Sequence, residues 1–128
     1  MEIDMKMSKI ALFLITASLF GVLTIASADD LKFGNATKYN LSFSTNGVCS
    51  LALGDIEKYT IKIINQVSFE ETCKYNPNQC VIDVYKELGC AGKAVANMIF
   101  DKTNIISIAT GGDIMIRGNG SNVFFNTL

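Results

Sequence analysis

The stretch from Cys73 to Cys90, C-K-Y-N-P-N-Q-C-V-I-D-V-Y-K-E-L-G-C, constrains the fold more than any other part of the chain. It holds three of the four cysteines and the one proline. Asn76-Pro77-Asn78-Gln79 has the chemistry of a turn, and Val81 to Tyr85 after it has the β-branched and aromatic content of a strand. Cys49, Cys73, Cys80 and Cys90 occur without any histidine and without a C-x-x-C pair, so zinc ligation does not fit their spacing. Two disulfides are the better reading. Of the three pairings open to four cysteines, Cys73 with Cys80 and Cys49 with Cys90 is preferred. The Asn-Pro-Asn turn would set Cys73 and Cys80 across a hairpin, at the short Cα separation a disulfide needs.

A disulfide framework implies an oxidising compartment, and the first residues supply a route to one. Lys6 and Lys9 precede an apolar run from Ile10 to Ile25, and small residues Ala26-Ser27-Ala28 follow it just before Asp29-Asp30. This is the pattern of a secretory signal peptide over 1–28, with Met1, Met5 and Met7 as alternative starts. The apolar run is short for a transmembrane anchor and ends in a cleavage pattern, so no stable anchor is expected after processing. The 29–128 region then forms a single secreted domain. Without Lys6, Lys9, Glu2 and Asp4, it keeps 9 of the 11 basic and 10 of the 12 acidic residues. A near-neutral domain without basic runs has little attraction for a phosphate backbone, so nucleic acid is not an expected partner.

Within that domain the patterning is mostly that of strands. Leu31-Lys32-Phe33 and Leu41-Ser42-Phe43 alternate apolar with polar residues. Gly34-Asn35-Ala36-Thr37 between them predicts a kink or turn, and Thr45-Asn46-Gly47 a tighter reversal, because Asn-Gly accepts positive φ angles. Tyr59 to Ile64 and Val67 to Phe69 read as further strands. In Val81 to Tyr85, Ile82 and Val84 are expected to point inward, leaving Asp83 and Tyr85 outward near Lys86. Ala94, Ala96, Met98 and Phe100 would line one face of a strand; a short helix near 91–100 is the alternative, on propensity. Turn signals at Asp101-Lys102-Thr103-Asn104, Gly111-Gly112 and Gly118-Asn119-Gly120 separate Ile105 to Ala109, Ile114 to Ile116 and Val123 to Phe125. The whole predicts a mainly β fold: a small antiparallel β-sandwich or barrel-like domain stapled by two disulfides.

The search for reactive groups excludes more than it finds. With no histidine, Ser-His-Asp and Cys-His mechanisms and the common zinc hydrolases are closed to the chain. Asp55 with Glu57, Glu70 with Glu71, and Asp83 with Glu87 leave a carboxylate glycosidase as a formal option, which needs two carboxyls facing across a cleft. Gly111-Gly112-Asp113 and Gly118 to Asn122 lack the lysine and hydroxyl of a phosphate loop and the spaced acids of a calcium loop. No catalytic residue, metal or cofactor is therefore expected. Tyr75, Asn76, Asn78, Asp83, Tyr85 and Arg117 are the candidate binding residues, since exposed tyrosine and arginine anchor interfaces most often.

Asn46-Gly47-Val48-Cys49-Ser50, then Cys73 with Asn76-Pro77-Asn78-Gln79-Cys80, then Val84-Tyr85 and Gly89-Cys90-Ala91-Gly92, resemble a group of small secreted cysteine-containing proteins of Legionella and related intracellular bacteria. The resemblance covers all four cysteines and much of the 29–128 region, though not its two ends. It implies export, by the type II route, and a role in infection, and it implies no catalytic residue. Together with the residues themselves it leads to the expectation of a secreted, non-catalytic effector that binds a protein, glycan or lipid outside the producing cell. The alternatives are a periplasmic or secreted inhibitor of a hydrolase such as lysozyme, with the Tyr75 to Gln79 turn as its plug, and a small glycosidase.

Overall fold

The computed structural model describes residues 30–128; the expected leader over 1–28 lies outside them. Among the described residues, nine strands form two sheets. β1 (Leu31–Ala36), β4 (Thr60–Ile64), β8 (Ile114–Asn119) and β9 (Asn122–Thr127) make a four-stranded sheet in the order β4-β1-β9-β8. β2 (Ser42–Thr45), β3 (Val48–Cys49), β5 (Cys80–Tyr85), β6 (Ala96–Asp101) and β7 (Asn104–Thr110) make a five-stranded sheet in the order β3-β2-β5-β6-β7. All neighbours are antiparallel except β1 and β9, which run parallel. The sheets form a sandwich, not a closed barrel.

Phenylalanines from both sheets fill the space between them. Phe33 of β1 lies 5.6 Å from Phe43 of β2, 6.2 Å from Phe100 of β6 and 5.8 Å from Phe125 of β9, centroid to centroid. All four are fully buried. Their offset and edge-on contacts suit the ring quadrupole and add to the burial of area. Strand alternation delivers them: Ile82 and Val84 of β5 are buried while Asp83 and Tyr85 are half-buried on the opposite face.

Three turns form where turn chemistry predicts them. Asn46 (φ 54°) and Gly47 (φ 79°) join β2 to β3, and Gly120 (φ 62°) joins β8 to β9. Lys102 (φ 56°) sits in the β6–β7 turn. Both disulfides also have the preferred pairing, Cys49–Cys90 and Cys73–Cys80.

Other expectations are corrected. Val67 to Phe69 is not a strand but part of helix α1 (Gln66–Thr72). The Asn65 side chain accepts from the backbone N–H groups of Val67 (2.8 Å) and Ser68 (3.3 Å), which caps the helix N-terminus. Phe69 is the one buried residue of α1, and it meets Phe100 at 5.0 Å. Cap and anchor together outweigh the β preference of Val67. Cys73 consequently ends a helix and does not face Cys80 across a hairpin; the bridge ties the end of α1 to the start of β5. The helix alternative near 91–100 also falls, because Ala96–Asp101 is a central strand paired with β5 and β7. A short 3₁₀ turn occupies Leu88–Cys90 instead.

Gly34-Asn35-Ala36 is strand and not a turn. The reversal comes after it, organised by Asn35: its amide nitrogen donates to the Tyr39 (2.8 Å) and Ile56 (2.9 Å) carbonyls, and its Oδ1 accepts from the Thr37 backbone (2.9 Å).

Candidate functional site

On the outer face of the four-stranded sheet, the strand register sets Ile61, Gly34, Phe124 and Arg117 side by side in one row. Gly34 carries no side chain, and a Cβ there would stand 2.7 Å from Cδ1 of Phe124. The Phe124 ring therefore lies over bare backbone. Beside it opens a groove of about 400 Å³ lined by Gly34, Tyr59, Ile61, Arg117, Phe124 and Asn126, among others. Tyr59 is 70% exposed, placed by a left-handed backbone (φ 61°) just before β4. Arg117 is the chain's only arginine. Neither its side chain nor that of Lys32 has a hydrogen-bond or ion-pair partner among the described residues.

A second recess, of about 380 Å³, lies at the β2–β3 end of the other sheet, with Val48, Cys49, Leu51, Thr72 and Tyr75 in its walls. Leu51 is 96% and Tyr75 77% exposed. Disulfides fix both sides of it, through Cys49 beside Val48 and Cys73 beside Thr72.

The six predicted binding residues fall in three separate places. Tyr75, Asn76 and Asn78 share the turn between α1 and β5. That turn is tied to the β6–β7 turn, with Lys102 N–H donating to the Pro77 carbonyl (2.7 Å) and the Asn78 amide to Asp101 (2.9 Å). Asp83 and Tyr85 lie on the outer side of the five-stranded sheet, where the Tyr85 hydroxyl meets Ser44 Oγ at 3.1 Å. Arg117 stands across the core from them. Lys86 does not join Asp83 and Tyr85 but turns to Asp113, at 3.3 Å.

Arg117 is the residue of this groove that the sequence singles out as a candidate; its neighbours Gly34, Tyr59, Ile61 and Phe124 are not. One signal was available: two adjacent phenylalanines in a strand cannot both face the core, so Phe124 or Phe125 had to point outward.

The carboxylates are dispersed. Glu70 and Glu71 lie on α1, where Glu71 pairs with Lys74 at 2.8 Å and Glu70 accepts from Gln66 at 3.2 Å. Asp83 is on β5, and Asp55 and Glu57 precede β4. Among the described residues, no three histidine, cysteine or acidic side chains cluster within reach of one metal ion.

No protein-family model matches the chain, and no curated protein does. Its fold is similar to one solved by crystallography. That protein is the Legionella pneumophila type II secretion system substrate NttC, matched with a TM-score of 0.64 over 80% of this chain and 100% of the other. Identity between the two is 14%, so the likeness is one of fold.

At the edge of the sandwich, the Tyr39 hydroxyl donates to Asp113 Oδ2. This bond holds the Asp113 carboxyl below the usual carboxylate range; desolvation opposes it, and the hydrogen bond and charge of Lys86 add to the lowering. A lowered folded-state value contributes stability above the unfolded-state value, and that contribution is lost as pH falls through the folded one. In Tyr39→Phe, Asp113 is expected to titrate higher in a carboxyl NMR titration. The stability gap between variant and parent should be open at neutral pH and close in acid. A gap that persists unchanged in acid would assign the loss to packing of Tyr39, not to its hydrogen bond.

Proposed function

We propose that the protein is an exported, non-catalytic binding domain, an effector of a bacterium that lives inside host cells, and that it engages its partner through the groove beside Arg117. The observation that carries this reading is an unpaired arginine set among exposed Tyr59, Ile61 and Phe124 on a rigid sheet. Arginine and aromatic side chains at the centre of a recess are the residues from which binding energy most often comes. Two disulfides and a fold shared with a type II secretion substrate support export. Fractionation of the producing bacterium tests the first half: a processed chain in the culture medium, carrying two disulfides by non-reducing mass, is expected. A chain held in the membrane with its leader would overturn it.

The Tyr75 to Asn78 turn favours a second reading, as an inhibitor of a hydrolase. The turn is exposed, and its bridge and two tethers to the β6–β7 turn pre-organise it, which lowers the entropic cost of entering a cleft. Lysozyme turnover with and without the protein decides it, and full activity at micromolar protein would end the idea.

A further inference from the structure

We propose that the outer face of the four-stranded sheet docks the protein onto a lipid bilayer bearing anionic headgroups. The inference rests on the groove reading above and names the partner of that same face.

Charge is distributed unevenly. The sequences of β1, β4, β8 and β9 contain Lys32, Lys62 and Arg117 and not one carboxylate. The chain as a whole nevertheless has more acidic than basic residues, 12 against 11. Lys62 turns away to the Leu53 carbonyl at 2.7 Å, which leaves Lys32 and Arg117 as the unpaired cations of the outer face.

Around those cations the face is apolar. Ile61 is 61%, Ile63 49%, Phe124 41% and Met115 38% exposed, and Tyr59 stands at the edge. Five large apolar side chains on one sheet face are more than the scattered exposure that surfaces normally show. Aliphatic and aromatic side chains flanked by lysine and arginine suit a membrane interface: the apolar parts enter the acyl boundary and the cations meet headgroup phosphates.

Charge complementarity separates this occupant from the others. Protein surfaces intersperse both signs, so a protein partner would bury some of its own cations against a face with no carboxylate to receive them. A second copy meeting the same face would bring cations toward cations. An anionic bilayer presents acceptors and negative charge alone.

The test is co-sedimentation of the oxidised protein, as processed by the producing cell, with vesicles of phosphatidylcholine and of phosphatidylcholine mixed with phosphatidylserine. Binding to the mixed vesicles, weakened by added salt, is expected. A cation near such a surface contributes about 1 kcal/mol, so Lys32→Gln with Arg117→Gln should weaken partitioning about 25-fold. Ile61→Ser should weaken it too, while Leu88→Ser, at an exposed residue of the 3₁₀ turn on the other sheet, leaves it unchanged. Retained circular dichroism and disulfide mass would show that the variants are folded. Failure to sediment with mixed vesicles, equal binding to neutral ones, or a dimer that Ile61→Ser abolishes would each overturn the proposal. If vesicles fail but Arg117→Gln still abolishes capture of a protein or glycan, the lipid inference falls and the groove reading stands. If Arg117→Gln changes neither, both fall.

Discussion

Phe33→Ala is expected to cost roughly 3–5 kcal/mol, the range for emptying an aromatic site in a core. Phe33 has no exposed surface and touches three other rings, two of them from the opposite sheet. Its strand lies between β4 and β9, hydrogen-bonded on both sides, so the backbone cannot settle into the void. Phe43, Phe100 and Phe125 each sit on strands of their own, and moving one ring into the space would open another behind it. For a domain whose total stability is of order 5–15 kcal/mol, this is a large fraction. Urea unfolding followed by circular dichroism measures it, with Phe124→Ala as the comparison, since that ring is on the outside of the same sheet. A loss equal for the two residues would mean that the space between the sheets is not the centre of the core.

What could be read in the sequence was local. Asn46-Gly47 marks a reversal within four residues, and Ile82 and Val84 reveal their buried face by alternation alone. The cysteine pairing is as expected although the expected hairpin is not there: the Asn76-Pro77-Asn78 turn brings the end of α1, and not a strand, back to Cys80. Helix α1 is hidden in the sequence by the β propensity of Val67 and Phe69, and what decides against that propensity is the Asn65 side chain bonded to the Val67 and Ser68 N–H groups. Gly34 reads locally as turn punctuation, whereas its role is to leave room for Phe124, ninety positions later in the chain. Nothing near either residue announces that contact, which depends on the parallel pairing of β1 with β9. The candidate groove is illegible for the same reason: its walls come from four strands and a turn, brought together only by register.

Removing the Cys49–Cys90 bridge is expected to cost more than removing Cys73–Cys80, and the difference follows from what each closes. Freeing a loop with a sequence separation of 41 returns loop-closure entropy of about 4 kcal/mol to the unfolded chain. A separation of 7 returns about 2 kcal/mol. Native contacts push the same way. Cys90 anchors the 3₁₀ turn on β2, with its N–H donating to Ser42 Oγ at 2.8 Å, and Ser42 and Ser44 are buried beneath that region. Losing the bridge should speed hydrogen exchange across 86–92, whereas losing Cys73–Cys80 leaves Phe69 still packed on Phe100. Urea midpoints of Cys49→Ala/Cys90→Ala and Cys73→Ala/Cys80→Ala give the order directly, and a reversed order would show that loop entropy is not the leading contribution. Both bridges together represent about 6 kcal/mol, comparable to the whole stability of a domain this size. A chain so dependent on its cysteines would fold poorly in a reducing cytosol, which accords with the export proposed above.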